Sequence, residues 1–167
     1  MALIVETGTG LANAASYASV AAADAYHASR GNALWNTLAT ERKEQLLRAA
    51  TDYMVVYAAS WSGSRQYAEQ ALDWPRDGAE AFDFDVPQST VPAQVVNACA
   101  VLALKAAAGP LLPDPAQAKK RQKVGPLEVE YQDYSTSTKR YASVDAMLLP
   151  FFGAGGGSIY MARLERS

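Results

Sequence analysis

His27 is the only histidine and Cys99 the only cysteine in this chain, too few for most zinc arrangements, and any Ser-His-Asp or Cys-His site would rest on that one imidazole. His27 reads as a structural residue, at the surface or half-buried on a first helix, and Cys99 as a buried thiol within an apolar helical run. Asp83 and Asp85 alternate in FDFDV and carry the donor type a hard cation takes. Nothing near them supplies a substrate pocket, so the reading has no catalytic residue, no metal and no cofactor. GAGGG at Gly153–Gly157 lacks the GK[ST] and the strand-loop-helix context of a phosphate loop, and reads as a hinge. The basic cluster Lys119, Lys120, Arg121 and Lys123, followed by Tyr131, Tyr134 and Tyr141, is the best nucleic-acid candidate. The same run equally suits a solvated or protein-contacting face.

Those residues are positioned by a chain whose densest local chemistry is WSGSRQYAEQALDWPRDG, Trp61 to Gly78. Pro75 fixes its own φ and pushes Trp74 toward extended backbone, and Gly63 and Gly78 permit left-handed conformations, so no helix runs through this stretch. It reads as a structural clamp built on Trp61, Arg65, Trp74, Pro75 and Arg76. The arginines have indole faces to stack on and the carboxylates Glu69, Asp73 and Asp77 to pair with.

With 167 residues the chain holds one core. A formal charge of −2 and a pI near 5.4 argue against a surface built mainly to neutralise phosphates, while leaving room for local basic patches. The short apolar run Ala2–Val5 is no signal sequence, and Val95–Ala108, interrupted by Asn97 and Lys105, is too short to span a bilayer. The expectation is a soluble protein made in the cytoplasm.

The periodicity predicts a mainly α fold: a compact helical bundle with a small β-strand or hairpin extension and an extended C-terminal tail. Ser19 caps a helix Val20–Ser29 that Gly31 ends. A helical turn follows over 32–39 with Leu34, Trp35 and Leu38. Thr40 caps the next helix, on which Leu46, Leu47, Ala50, Met54, Tyr57 and Trp61 share one face. After a polar and acidic stretch, Pro92 opens a helix to about Ala108, with Val95, Cys99, Leu102 and Ala106 inward. The basic segment 116–123 reads as helical, LEVEY at Leu127–Tyr131 as a strand, and Ser135–Arg140 as a loop or hairpin tip. Ser143 caps a last helix, Val144–Phe152, burying Met147, Leu148 and Phe151. The organisation is a helical core (1–115), a basic segment plus β extension (116–142), a short helix packing on the core (143–152), and a glycine hinge with a docking tail (153–167).

Taken in order, ETGTGLANAASYASVAAADAYHASRGNALW, RATDYMVVYAASWSGSR, QALDWPRDG, VPAQVVNACAVLAL and VGPLEVEY resemble a tailed-phage family of head-tail connector (adaptor) proteins, whose members are often labelled DnaT-like single-stranded-DNA-binding proteins. The most specific part is Trp61, Gly63, Arg65, Gln70, Leu72, Trp74, Pro75, Arg76 and Gly78 following Arg48–Tyr53. The resemblance implies a non-enzymatic virion protein at the head-tail neck, made in the bacterial host cytoplasm. It implies a homo-oligomeric ring, commonly a dodecamer, that joins the portal protein to the tail or a stopper or tail-terminator protein. The ring continues the DNA ejection channel, with weak contact to genome DNA and none with membrane. On that view Ile159, Tyr160, Met161, Arg163 and Leu164 dock on the portal. The unlike patches a ring needs are Lys119, Lys120, Arg121 and Lys123 against Glu80, Asp83 and Asp85. The competing expectation is a single-stranded-DNA-binding protein, which needs Lys119, Lys120, Arg121, Lys123, Lys139 and Arg140 along one groove with aromatic faces between them.

Overall fold

The computed structural model describes residues 2–113, 121–124, 127–130 and 139–153. Helix α1, Val20–Ala28, starts at Ser19, whose hydroxyl accepts from the Ala22 amide, and is closed by Gly31 at φ +67°. The predicted turn over 32–39 forms a helix only at α2, Ala33–Asn36. Helix α3 spans Thr40–Tyr53 and tightens into a 3-10 turn over Met54–Tyr57. Thr40 is therefore the first helical residue rather than the cap; Ala39 holds that place with no side-chain bond, leaving amides there to the backbone. The predicted face is nonetheless buried from Leu46 through Trp61.

Helix α4 is Ala93–Ala106, with Pro92 at the cap position, where its missing N–H costs nothing. Its inward side is Val95, Ala98, Cys99, Ala100, Leu102 and Ala103, all buried, while Ala106 is only half-buried. Small side chains let α3 and α4 approach closely, and fully burying Leu47 and Leu102 between them contributes about 1.5–3 kcal/mol each. The Cys99 thiol sits 3.4 Å from Thr51 Oγ1 and 3.8 Å from Ser16 Oγ, and burial pushes it up from its ordinary pKa.

Between α3 and α4 the chain forms two short antiparallel pairs: β1 (Ser64–Arg65) with β2 (Arg76–Asp77), and β3 (Glu80–Ala81) with β4 (Phe84–Asp85). Strands β5 (Arg121–Val124) and β6 (Leu127–Glu130) make a third. One prediction is corrected here: Arg121–Lys123 lie on a strand, not a helix, in a pair whose register sets Val124 opposite Leu127. The pairing is local, across a Gly-Pro link that no helix tolerates. Of the predicted loop or hairpin tip Ser135–Arg140, residues 135–138 lie outside the described residues. Helix α5, Ala142–Leu148, begins after Tyr141 rather than Ser143 and runs into a 3-10 turn over Leu149–Phe151. It buries Val144, Leu148 and Phe151 in the core, with Met147 half-buried. The predicted tail after Gly153 lies outside the described residues. Among the described residues no helix is long and apolar enough to cross a membrane.

Candidate nucleic-acid interface

The clamp, where the sequence sets indoles close to guanidiniums, is closed. Trp74 is fully buried, edge-to-face with Trp61 (5.6 Å between centroids) and with Phe151 (5.8 Å). The Trp74–Pro75 peptide is cis. Arg76 neither stacks on an indole nor spends itself on a carboxylate. Its guanidinium donates to the carbonyls of Ser62 (2.7 Å), Gly63 (2.7 Å) and Asp73 (3.2 Å). Burial depresses its pKa, with Asp73 opposing. Arg65 likewise donates to the Gln70 carbonyl. Gln70, almost fully buried, donates to the Leu72 (2.7 Å) and Pro75 (3.1 Å) carbonyls and accepts from the Tyr67 amide (2.9 Å). A loop with so few internal backbone bonds needs side chains to satisfy its carbonyls, and planar guanidinium and amide groups reach several at once. Gly63 at φ +65° is obligatory, since a Cβ there would come within 2.3 Å of the Asp77 carbonyl oxygen. The cation partners in this stretch are carbonyls rather than the indoles or carboxylates that the sequence offers.

Where α4 ends near the start of α5, a meeting of ring and cation is open to solvent. Lys105 lies in the last turn of α4, where a cation complements the helix dipole; Gly109, Pro110 and Pro113 then turn the chain away. Lys139 enters α5 from the other side, its carbonyl held by the Tyr53 hydroxyl at 2.7 Å. Between them stands Tyr141, half-buried, edge-to-face with Tyr53 (5.3 Å) and donating to the Leu111 carbonyl (3.5 Å). The Lys105 and Lys139 ammonium nitrogens sit 5.3 and 5.2 Å from the Tyr141 ring centre. Neither forms an ion pair among the described residues. Together with Ala108, Gly109, Pro110 and Pro113 these residues line an open cleft of about 420 Å³. Sharing its Ala108–Pro110 wall is a larger groove of about 590 Å³ that includes Leu46, Tyr53, Leu112, Arg42 and Asp52.

Of the residues expected to form a basic groove, Lys139 and Tyr141 come together here. Arg140 does not join them. It lies over the Tyr57 ring (4.6 Å) and pairs with Asp145 (3.3 Å), which also accepts from the Tyr57 hydroxyl (2.6 Å). Burial, reinforced by that bond to Asp145, pushes the Tyr57 hydroxyl far above its ordinary pKa. The β5–β6 register sets Arg121 opposite Glu130 and Lys123 opposite Glu128. Lys119, Lys120, Tyr131 and Tyr134 lie outside the described residues, as do Ile159, Tyr160, Met161, Arg163 and Leu164. Glu80, Asp83 and Asp85 are exposed on the β3–β4 hairpin, and no cluster of metal-ligating side chains occurs among the described residues.

His27 is not at the surface but fully buried: Asn32 Nδ2 donates to Nδ1 (2.9 Å), leaving Nε2 to donate to the Ala100 carbonyl (3.0 Å), with the Trp35 ring 4.6 Å away. Burial holds its pKa below the ordinary histidine value. Two functional-looking groups have little sequence signal. Lys105 looks like a mere interruption of an apolar helix, its only hint being its place one turn before Gly-Pro. Glu6 is almost fully buried, its carboxylate accepting four amides from Gly8, Thr9, Gly10 and Leu11 at 2.7–3.0 Å. That arrangement closes the N-terminal loop and has no open side for a ligand.

A family model described as "Putative DnaT-like ssDNA binding protein" matches residues 1–167. No curated protein and no solved structure matches the chain. The chain therefore belongs to that family. The match favours the DNA-binding expectation over the head-tail connector, which no comparison addresses.

Proposed function

We propose that this family member binds single-stranded DNA, and that the Lys105–Tyr141–Lys139 cleft is where a base and its flanking phosphates meet the protein. One observation carries this reading: an aromatic face between two ammonium groups that form no ion pair among the described residues, opening to solvent. A base stacked on such a ring is worth about 1–3 kcal/mol, and each neutralised phosphate adds a salt-dependent increment. The whole-chain family match supports the same reading. The test is fluorescence anisotropy of a labelled oligo(dT) at two salt concentrations. Binding that weakens with salt and is lost in Lys105→Glu/Lys139→Glu is the expected result. An affinity unchanged by that double substitution would remove the cleft from the account.

A second reading is the phage-neck adaptor: a virion protein forming a ring between portal and tail, docking on the portal through Ile159, Tyr160, Met161, Arg163 and Leu164. Its specific support is the exposed pair Phe82 and Phe84, 65 % and 76 % accessible, which suits a subunit surface better than a monomeric DNA binder. Acidic overall composition also fits a channel that passes DNA without gripping it. Light scattering of the protein mixed with its cognate portal tests it: a stoichiometric ring supports the adaptor, and no association removes it.

A further inference from the structure

The β3–β4 hairpin places two phenyl rings and three carboxylates on one projection. Phe82 and Phe84 are the most exposed large apolar side chains among the described residues, and Glu80, Asp83 and Asp85 surround them. The turn is held in an unfavourable form: Phe82 and Asp83 both have positive φ, 55° and 64°, where a tight hairpin would ordinarily use Asn-Gly. Its base is nevertheless fixed. Val86 donates to the Ala79 carbonyl at 2.8 Å, and the Ser62 hydroxyl bridges the Glu80 carbonyl and amide at 3.2 Å each. Left-handed backbone at non-glycine residues persists only where the surroundings over-determine it. Two rings kept in water on such a turn point to a partner.

We propose that the Phe82–Asp85 hairpin of one copy docks in the Lys105–Tyr141–Lys139 cleft of a second copy. The complementarity is chemical. The run Phe-Asp-Phe-Asp alternates rings and carboxylates as single-stranded DNA alternates bases and phosphates. The cleft offers what either would use: the Tyr141 face, the apolar surfaces of Pro110 and Pro113, and two ammonium groups with no ion pair among the described residues. The signs match as well, because the cleft and its adjoining groove carry Lys105, Lys139 and Arg42 against the single carboxylate Asp52, facing three carboxylates on the hairpin. Within one chain the hairpin is already seated beside Pro150, Phe152 and Gly153, and contributes no residue to the cleft. Two unlike patches on one subunit make head-to-tail contacts, which close into rings or extend into filaments. The proposal rests on the reading of the cleft as a site for rings and anions. It adds that DNA and self-association exclude each other there.

The experiment is sedimentation velocity of the full chain over a wide concentration range, with circular dichroism as a fold control. Wild type is expected to self-associate, and Phe82→Ser/Phe84→Ser and Lys105→Glu/Lys139→Glu each to weaken this about tenfold or more. Mixing the two double variants restores one-to-one association, since each supplies the patch the other lacks. Oligo(dT) dissociates the wild-type assembly, and the hairpin variant binds oligo(dT) at least as tightly as wild type. A monomeric wild type, or a mixture that stays monomeric, overturns the proposal. Restored association by the mixture with no oligo(dT) binding by any variant would sustain the docking and sink the DNA reading instead.

Discussion

The clamp and the cleft are built from the same kinds of residue and do opposite things. In the clamp, the Arg76 guanidinium is buried and its donors are committed to the carbonyls of Ser62, Gly63 and Asp73. In the cleft, the Lys105 and Lys139 ammoniums flank an aromatic ring and nothing within the described chain neutralises them. An aromatic residue beside a cation therefore says little about function until the cation's other partners are known. A planar guanidinium with several donors suits a loop that must satisfy scattered carbonyls, while a strongly hydrated ammonium on a flexible stem suits an open anion site.

The contrast breaks most visibly at Trp74. Trp74→Ala opens a cavity against Trp61 and Phe151 and should cost about 3–5 kcal/mol in a denaturant titration; a loss below one kcal/mol would show that the clamp is not part of the core. Arg76→Met keeps much of the stem but strands three carbonyls, and about 2–3 kcal/mol of stability should go while oligo(dT) affinity measured on the folded fraction stays put. Tyr141→Ala is the converse. Oligo(dT) binding should fall by about 1–2 kcal/mol, roughly tenfold, and Tyr141→Leu should not rescue it, because the ring face and not its bulk is what a base uses. Lys105→Ala or Lys139→Ala alone should lower the magnitude of the log–log salt slope by about 0.7 each; an unaltered slope would mean that these ammoniums never touch phosphate.

The smallest effect expected is a pH dependence from His27. Its pKa is held down in the folded protein by burial, the Ala100 carbonyl and Asp24 opposing, while Arg30 and Lys43 add to the depression. The unfolded chain thus binds the proton more readily. Stability should be constant well above the unfolded value of about 6.5 and decline as pH falls through it, levelling only below the folded pKa. Asp24 titrates lower: burial raises it, but the hydrogen bonds from Lys43 (2.9 Å) and Trp35 (2.6 Å) outweigh that and bring it below the usual carboxylate range. Comparing wild type with His27→Gln between neutral and mildly acidic pH isolates the histidine, and an identical slope in both would refute its assignment.

Much of the scaffold was legible because it follows from local rules. The buried face from Leu46 to Trp61, the Ser19 cap, the Gly31 stop and the Pro92 start are consequences of spacing and of single-residue backbone preferences. The errors fall where two local signals compete or where partners are distant in sequence. Thr40 and Ser143 look like caps, yet each helix starts a residue or more earlier than a cap there would place it. Residues 121–123 look like part of a basic helix because the strand that claims them lies beyond a Gly-Pro link.

The sequence alone determined that the chain is mainly helical, that one histidine and one cysteine are too few for the common zinc sites, and that no helix runs through 61–78. These depend on composition, period and the φ limits of Gly and Pro. Only the tertiary structure decided which cations are spent and which have no ion pair among the described residues. Arg140, adjacent to Tyr141, is tied to Asp145, whereas Lys105, thirty-six positions before Tyr141, shares its ring with Lys139. A side chain's availability is set by everything that packs around it, and for these residues those neighbours come from other helices.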